Sequence, residues 1–193
     1  METMANGDLL ADAGRLVHRH AMVWIRRLRA PIEQVWQTVS TKEGLEKWWL
    51  VPPKAFELRK GSVFKHHWDH TIADFVEHEY IDFVEPGGAY AQTGGMRFEL
   101  KGNGGSTMFT FMDTWAENST VGSGDNPMAS QPGGPGTPWP GVAAGWHGMV
   151  DRLVKVFDDH PARYSENELG EFYLGYLRDL YRWSDMVQRA PAP

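Results

Sequence analysis

The chain has 193 residues, 41% hydrophobic and 23% charged, which suits one domain with a substantial core. A net charge of −6 argues against nucleic acid or an anionic membrane as partner, since both demand a basic face, and the run Arg26, Arg27, Arg29 is too short to supply one. No cysteine is present, which excludes disulfides, thiolate catalysis and zinc–thiolate sites.

The opening METMANGDLLADAG lacks the positive end and apolar run of a secretory signal. No later stretch approaches the roughly 18–20 apolar residues of a membrane span, so a cytoplasmic protein is expected. Leu9, Leu10, Ala13, Leu16 and Val17 recur at helical spacing and predict an N-terminal helix over 8–20. Ala21–Leu28 (AMVWIRRL) follows as a strand. Pro31 suits a first helical residue, and Ile32, Val35, Trp36 and Val39 give the helix one apolar face. Ser40 or Thr41 caps a second short helix that ends at Trp48-Trp49.

From Ala55 to Trp115 the period changes to two. Phe56 and Leu58 alternate with charged residues, as do Phe64, His66 and Trp68. Ile72–Val84 carries one or two strands, with Asp74, Glu77, His78 and Glu79 on its outer face. Met96, Phe98 and Leu100 alternate with Arg97, Glu99 and Lys101 before the turn Gly102-Asn103-Gly104-Gly105. Thr107–Trp115 returns, its parity open because Met108 and Met112 compete with Phe109 and Phe111 for the inner face. Glu117–Gly141 is rich in Gly, Pro and Ser and predicts a long loop, either a lid or a disordered insertion. Val142–Asp158 and Glu166–Gln188 then read as amphipathic helices.

This order, with Arg29-Ala30-Pro31-Ile32-Glu33-Gln34-Val35-Trp36, Gly44-Leu45-Glu46-Lys47-Trp48-Trp49, Gly61-Ser62-Val63-Phe64, Val84-Glu85-Pro86 and Ala143-Ala144-Gly145-Trp146-His147 leading to Asp151-Arg152-Leu153, resembles the START-like (Bet v 1-like, SRPBCC) superfamily. It most resembles the branch of the heat-shock-protein ATPase activator homologue domain. The resemblance covers about residues 21–157. It implies an α+β helix-grip fold, a curved antiparallel sheet wrapped around a long C-terminal helix, here with extra terminal helices. One domain over 1–193 follows, with a core at 21–158 and added helices at 8–20 and 166–188 that cover apolar surface or make a dimer contact. A monomer or weak homodimer is expected.

Where sheet and helix diverge in such a fold a cavity remains. Nine Trp, nine Phe, six Tyr and nine Met could line it as well as fill a core. The expected lining is Trp36, Phe64, His66, Trp68, Phe98, Phe109, Phe111, Trp146, His147, Met149 and Leu153, with Trp139, between Pro138 and Pro140, as a lid residue. A hydrophobic, aromatic, polyketide-like small molecule is the expected partner, bound for transport, sequestration or self-resistance. No cofactor is expected.

His66 and His70 share one strand face about 13 Å apart, too far for a single metal ion, so no metal site is expected. His147 opens the long helix without an acidic partner evident nearby in sequence, which leaves no catalytic residue assigned. A polyketide aromatase/cyclase is the alternative function, with His66, His147, Tyr90 and Arg97 as its test residues. A co-chaperone-like interaction module is the third reading.

Overall fold

The computed structural model describes residues 14–18, 21–49, 52–65, 69–84, 94–114 and 140–158. In chain order these form β1 (Arg15–His18), β2 (Ala21–Leu28), α1 (Ile32–Ser40), α2 (Lys42–Leu45), β3 (Val63–Lys65), β4 (Asp69–Val76), β5 (Tyr80–Val84), β6 (Gly95–Asn103), β7 (Ser106–Thr114) and α3 (Pro140–Phe157). The strands make one sheet in the order β1-β2-β7-β6-β5-β4-β3, antiparallel throughout. Every connection but one joins neighbours; the crossover from β2 by way of α1 and α2 carries the chain to the far edge. This is the helix-grip arrangement.

Period-two alternation decides which side of the sheet is inside. On β6, Met96, Phe98 and Leu100 are buried, while Arg97 and Glu99 stand on the other face. Register then carries the assignment across: Phe98 lies opposite Phe111, and Leu100 opposite Phe109. The parity of β7 is thereby settled. Phe109 and Phe111 face inward with Asp113, and Met108 faces solvent.

Several local expectations change. Residues 15–18, expected within an N-terminal helix, form β1 and pair with β2 in a register that shifts between Leu16 and His18. The apolar spacing of Leu16 and Val17 fits either element, and the open edge of β2 offers backbone partners that an isolated helix would not have. Phe56 and Leu58 join no ladder, yet both pack against the core as half-buried side chains. Pro31 stands in extended conformation just before α1 instead of opening it, and its carbonyl accepts from the amides of Gln34 and Val35 at 3.1 and 3.2 Å. Glu77, His78 and Glu79 are not strand residues. They turn β4 into β5, with His78 at φ 64°, a left-handed conformation that histidine tolerates better than bulkier side chains.

The β6–β7 turn is as the sequence predicts. Asn103 pairs with Ser106 across Gly104-Gly105, and Gly104 takes φ 60°. The lid residue Trp139 and the helix expected at 166–188 lie outside the described residues. Of the Gly/Pro-rich stretch only Pro140 and Gly141 are described, as the first residues of α3.

α1 and α2 close one end of the inner face. Thr41 caps α2, its hydroxyl accepting from the amide of Gly44 at 3.1 Å. The indole of Trp48 donates to the carbonyl of Thr38 at 3.2 Å, tying the double tryptophan back onto α1. Gly44 sits where the two helices meet most closely: a Cβ there would fall 2.4 Å from the carbonyl oxygen of Thr38 and 2.5 Å from that of Gln37. Both obstacles are backbone, so the helices must separate to admit a side chain. Gly44→Ala is expected to cost about 1–3 kcal/mol of unfolding free energy in urea denaturation. A loss no larger than that of the surface change Lys42→Ala would contradict this packing.

Candidate functional site

The interior is a continuous set of aromatic rings. Phe98 lies at its centre, with ring centroids 5.0 Å from Phe83, 5.6 Å from Phe109 and Phe111, 5.7 Å from Trp48 and 5.9 Å from Trp49. Phe64 extends the set toward the β3 edge through Phe83 and Phe56. Phe111 links it to Trp24 at 5.4 Å and, across to α3, to Trp146 at 5.0 Å. Aromatic pairs at such separations contribute about 0.5–1.5 kcal/mol each beyond burial.

Of the expected lining, Phe64, Phe98, Phe109, Phe111, Trp146, Met149 and Leu153 come together in this one buried cluster. Trp36 belongs to the same cluster, and its ring also meets His78 of the β4–β5 turn at 5.8 Å. His66 and Trp68 lie outside the described residues, as does Tyr90. Arg97 is placed on the outer face. It holds both carboxylate oxygens of Asp82 at 2.9 and 2.7 Å and Glu99 at 2.7 Å, and it lies 4.1 Å over the ring of Tyr80. It is therefore unsuited to act on anything held inside. The alternation that buries Met96 and Phe98 dictates this.

His147 is fully buried on α3, and its acidic partner is Asp151, one helical turn on. Nε2 of His147 stands 3.1 Å from Oδ2 of Asp151. The i, i+4 spacing carried that signal in the sequence, since such residues share a helix face. Oδ1 of Asp151 in turn receives Nη2 of Arg26 at 3.5 Å. Arg26 belongs to an alternating strand and so points with Trp24 and Leu28 to the inside, at 8% exposure; Nη1 also donates to the carbonyl of Ile25. The charged sequence Arg26-Arg27 suggests an exposed pair, but parity separates them, leaving Arg27 outside.

Two further ionisable groups face the interior. Asp113 of β7, 5% exposed, accepts the indole N–H of Trp146. His70 of β4 is fully buried, its ring stacked on Phe64 at 5.3 Å and 24°. Burial of such groups carries a large desolvation cost that only pairing and hydrogen bonding offset. Among the described residues no three carboxylate or imidazole groups assemble as a metal site would require. No helix among them is long and apolar enough to cross a membrane.

An open antiparallel sheet closed by a long helix, with an aromatic interior into which Arg26, His70, Asp113, His147 and Asp151 project, defines a helix-grip protein of the START-like class. The sequence matches the family described as "Activator of Hsp90 ATPase homolog 1-like protein" over residues 29–158, and the chain belongs to that family. No curated protein sequence matches it. Among solved structures it is similar to a conserved protein of unknown function from Enterococcus faecalis, with TM-score 0.61 and 19% identity over 92% of this chain and 99% of that one. CalU16 from Micromonospora echinospora is similar at TM-score 0.60 and 14% identity, over 90% and 95% of the two chains. DynU16, a putative protein in the dynemicin biosynthetic locus, is similar at TM-score 0.51 and 17% identity, over 75% of this chain and 50% of that one. At these identities the likeness is one of fold.

The buried ion pair gives a sharp stability test. Arg26→Met leaves the Asp151 carboxylate inside without its guanidinium and is expected to cost about 3–5 kcal/mol, whereas Arg26→Met with Asp151→Leu should recover most of the loss. Urea denaturation of the two variants checks this. A double variant no more stable than the single one would mean that the pair is not coupled.

Proposed function

We propose that the chain binds a hydrophobic, aromatic, polyketide-like small molecule between the inner face of the sheet and α3, for transport, sequestration or self-resistance. The carrying observation is that five ionisable side chains, from β2, β4, β7 and α3, project into an interior otherwise built of aromatic rings. A core needs no such groups, because well-packed apolar residues in their place are commonly neutral or stabilising. A ligand that stacks on rings and carries a few polar substituents has use for both. The described lining residues pack in one cluster, so the ligand seats by parting ring contacts, and the 6.4 Å contact between Trp49 and Trp146 joins the α2 end to α3. DynU16 is described as belonging to a biosynthetic locus, a setting in which a small-molecule carrier has a purpose.

The paired His147 and Asp151 support a second reading, a polyketide aromatase/cyclase, in which His147 exchanges a proton with the bound chain and Asp151 orients it. The co-chaperone reading rests on the family description alone.

Anthraquinone serves as a flat aromatic probe. At about a hundredfold excess over its Kd, binding to the native state adds about 2.7 kcal/mol, which raises Tm by about 5–11 °C for a chain of this size. Its recovery with unchanged mass supports a binding protein. No rise in Tm with anthraquinone or its hydroxylated and methoxylated derivatives would end the binding reading. Conversion of a poly-ketone chain to a product lighter by one water would replace it with the cyclase.

A further inference from the structure

The two oxygens of the Asp151 carboxylate differ in what they hold. Oδ1 receives Nη2 of Arg26 at 3.5 Å. Oδ2 lies 3.1 Å from Nε2 of His147, but the orientation along the helix makes no hydrogen bond, and the oxygen is shut off from solvent by the protein around it. An ionised carboxylate accepts at both oxygens and donates at neither. The residue is 9% exposed and stands on the flank of α3 that meets β2, next to the fully buried His147.

We propose that Asp151 Oδ2 is the specificity-determining acceptor of the binding site and that it receives a hydroxyl hydrogen from the ligand, which is therefore a phenol or enol and not a bare hydrocarbon or its ether. This rests on the binding function proposed above and adds the polar end of the ligand to it. Three properties of the site fit a hydroxyl donor. The acceptor is charged, so the bond is stronger than one between neutral groups. Arg26 meets the other oxygen and leaves Oδ2 to the ligand. The aromatic interior that α3 covers, Trp146 and Phe111 among it, supplies faces on which the aromatic body of a phenol stacks. An anionic ligand group is disfavoured at the same oxygen by like charge, which separates a phenol from a carboxylic acid of equal size.

The experiment compares anthraquinone with its monohydroxy and monomethoxy derivatives, substituted on the ring carbon remote from the quinone carbonyls, by isothermal titration of the full chain. The hydroxy compound should bind at least about tenfold more tightly than the methoxy compound, as befits a hydrogen bond to a charged acceptor. Asp151→Asn should bring the two within about threefold of each other. If anthraquinone binds but the hydroxy and methoxy compounds are equal on the unaltered protein, the hydroxyl acceptor is overturned and the binding function stands. If none of the three binds, the binding function fails and this inference with it. The comparison on the unaltered protein decides the matter even where Asp151→Asn does not fold.

Discussion

One sheet face made of aromatic rings has to be kept from water, and α3 is the element that covers it. The helix is fixed by more than apolar contact. Trp146 crosses to β7 both by its ring on Phe111 and by its indole N–H on Asp113. The next residue, His147, faces Asp151 one turn on, and Asp151 meets Arg26 on β2. These anchors lie on adjacent strands, so together they set the rotation of the helix as well as its distance from the sheet. A helix held by apolar packing alone could roll; one holding a buried charge pair cannot do so without stranding a charge.

The other end of the interior is closed by different means. α1 and α2 meet at Gly44, where no side chain fits, and this contact brings Trp48 and Trp49 over Phe98. Close helix packing thus delivers two large rings to the middle of the sheet. The tryptophan pair meets α3 at the edge-to-face contact of Trp49 with Trp146. The interior therefore has two lids of unlike construction, one set by a glycine contact and one by charges, and these two rings join them. A molecule that stacks on aromatic faces would enter where the constraint is slightest.

Much of this was legible in the sequence, for physical reasons that differ by element. β2 and β6 were found because alternation along an extended chain has only one interpretation when one face is buried. The Gly104-Gly105 turn announced itself by glycines at left-handed positions. β1 was missed because two apolar residues at adjacent positions satisfy a helical period and a strand equally, and the edge of β2 decided between them. The β4–β5 turn was missed because His78 takes a left-handed conformation with no glycine, proline or asparagine nearby. Phe64, Phe98, Phe109, Phe111 and Trp146 are buried together, since large apolar residues at inward parity must gather, but Trp24, Phe83, Trp48 and Trp49 of the same cluster were not in the expected lining. Arg26 and Asp113 were not, because charged residues on alternating strands are expected outside, and only the register of β7 against β2 and β6 shows them facing in. Asp151 escaped notice as the partner of His147 although its i, i+4 spacing was visible. Arg97, a test residue of the cyclase reading, is put outside by the burial of its neighbours Met96 and Phe98.

In the proposed complex a small aromatic molecule lies between the sheet's inner face and α3. Isotope-filtered NOE spectroscopy of unlabelled hydroxyanthraquinone on labelled protein measures this directly. The account predicts intermolecular NOEs from the ligand ring protons to Phe98, Phe111 and Trp146. NOEs confined to Ile25 and Met108, which are exposed on the outer face, would contradict it.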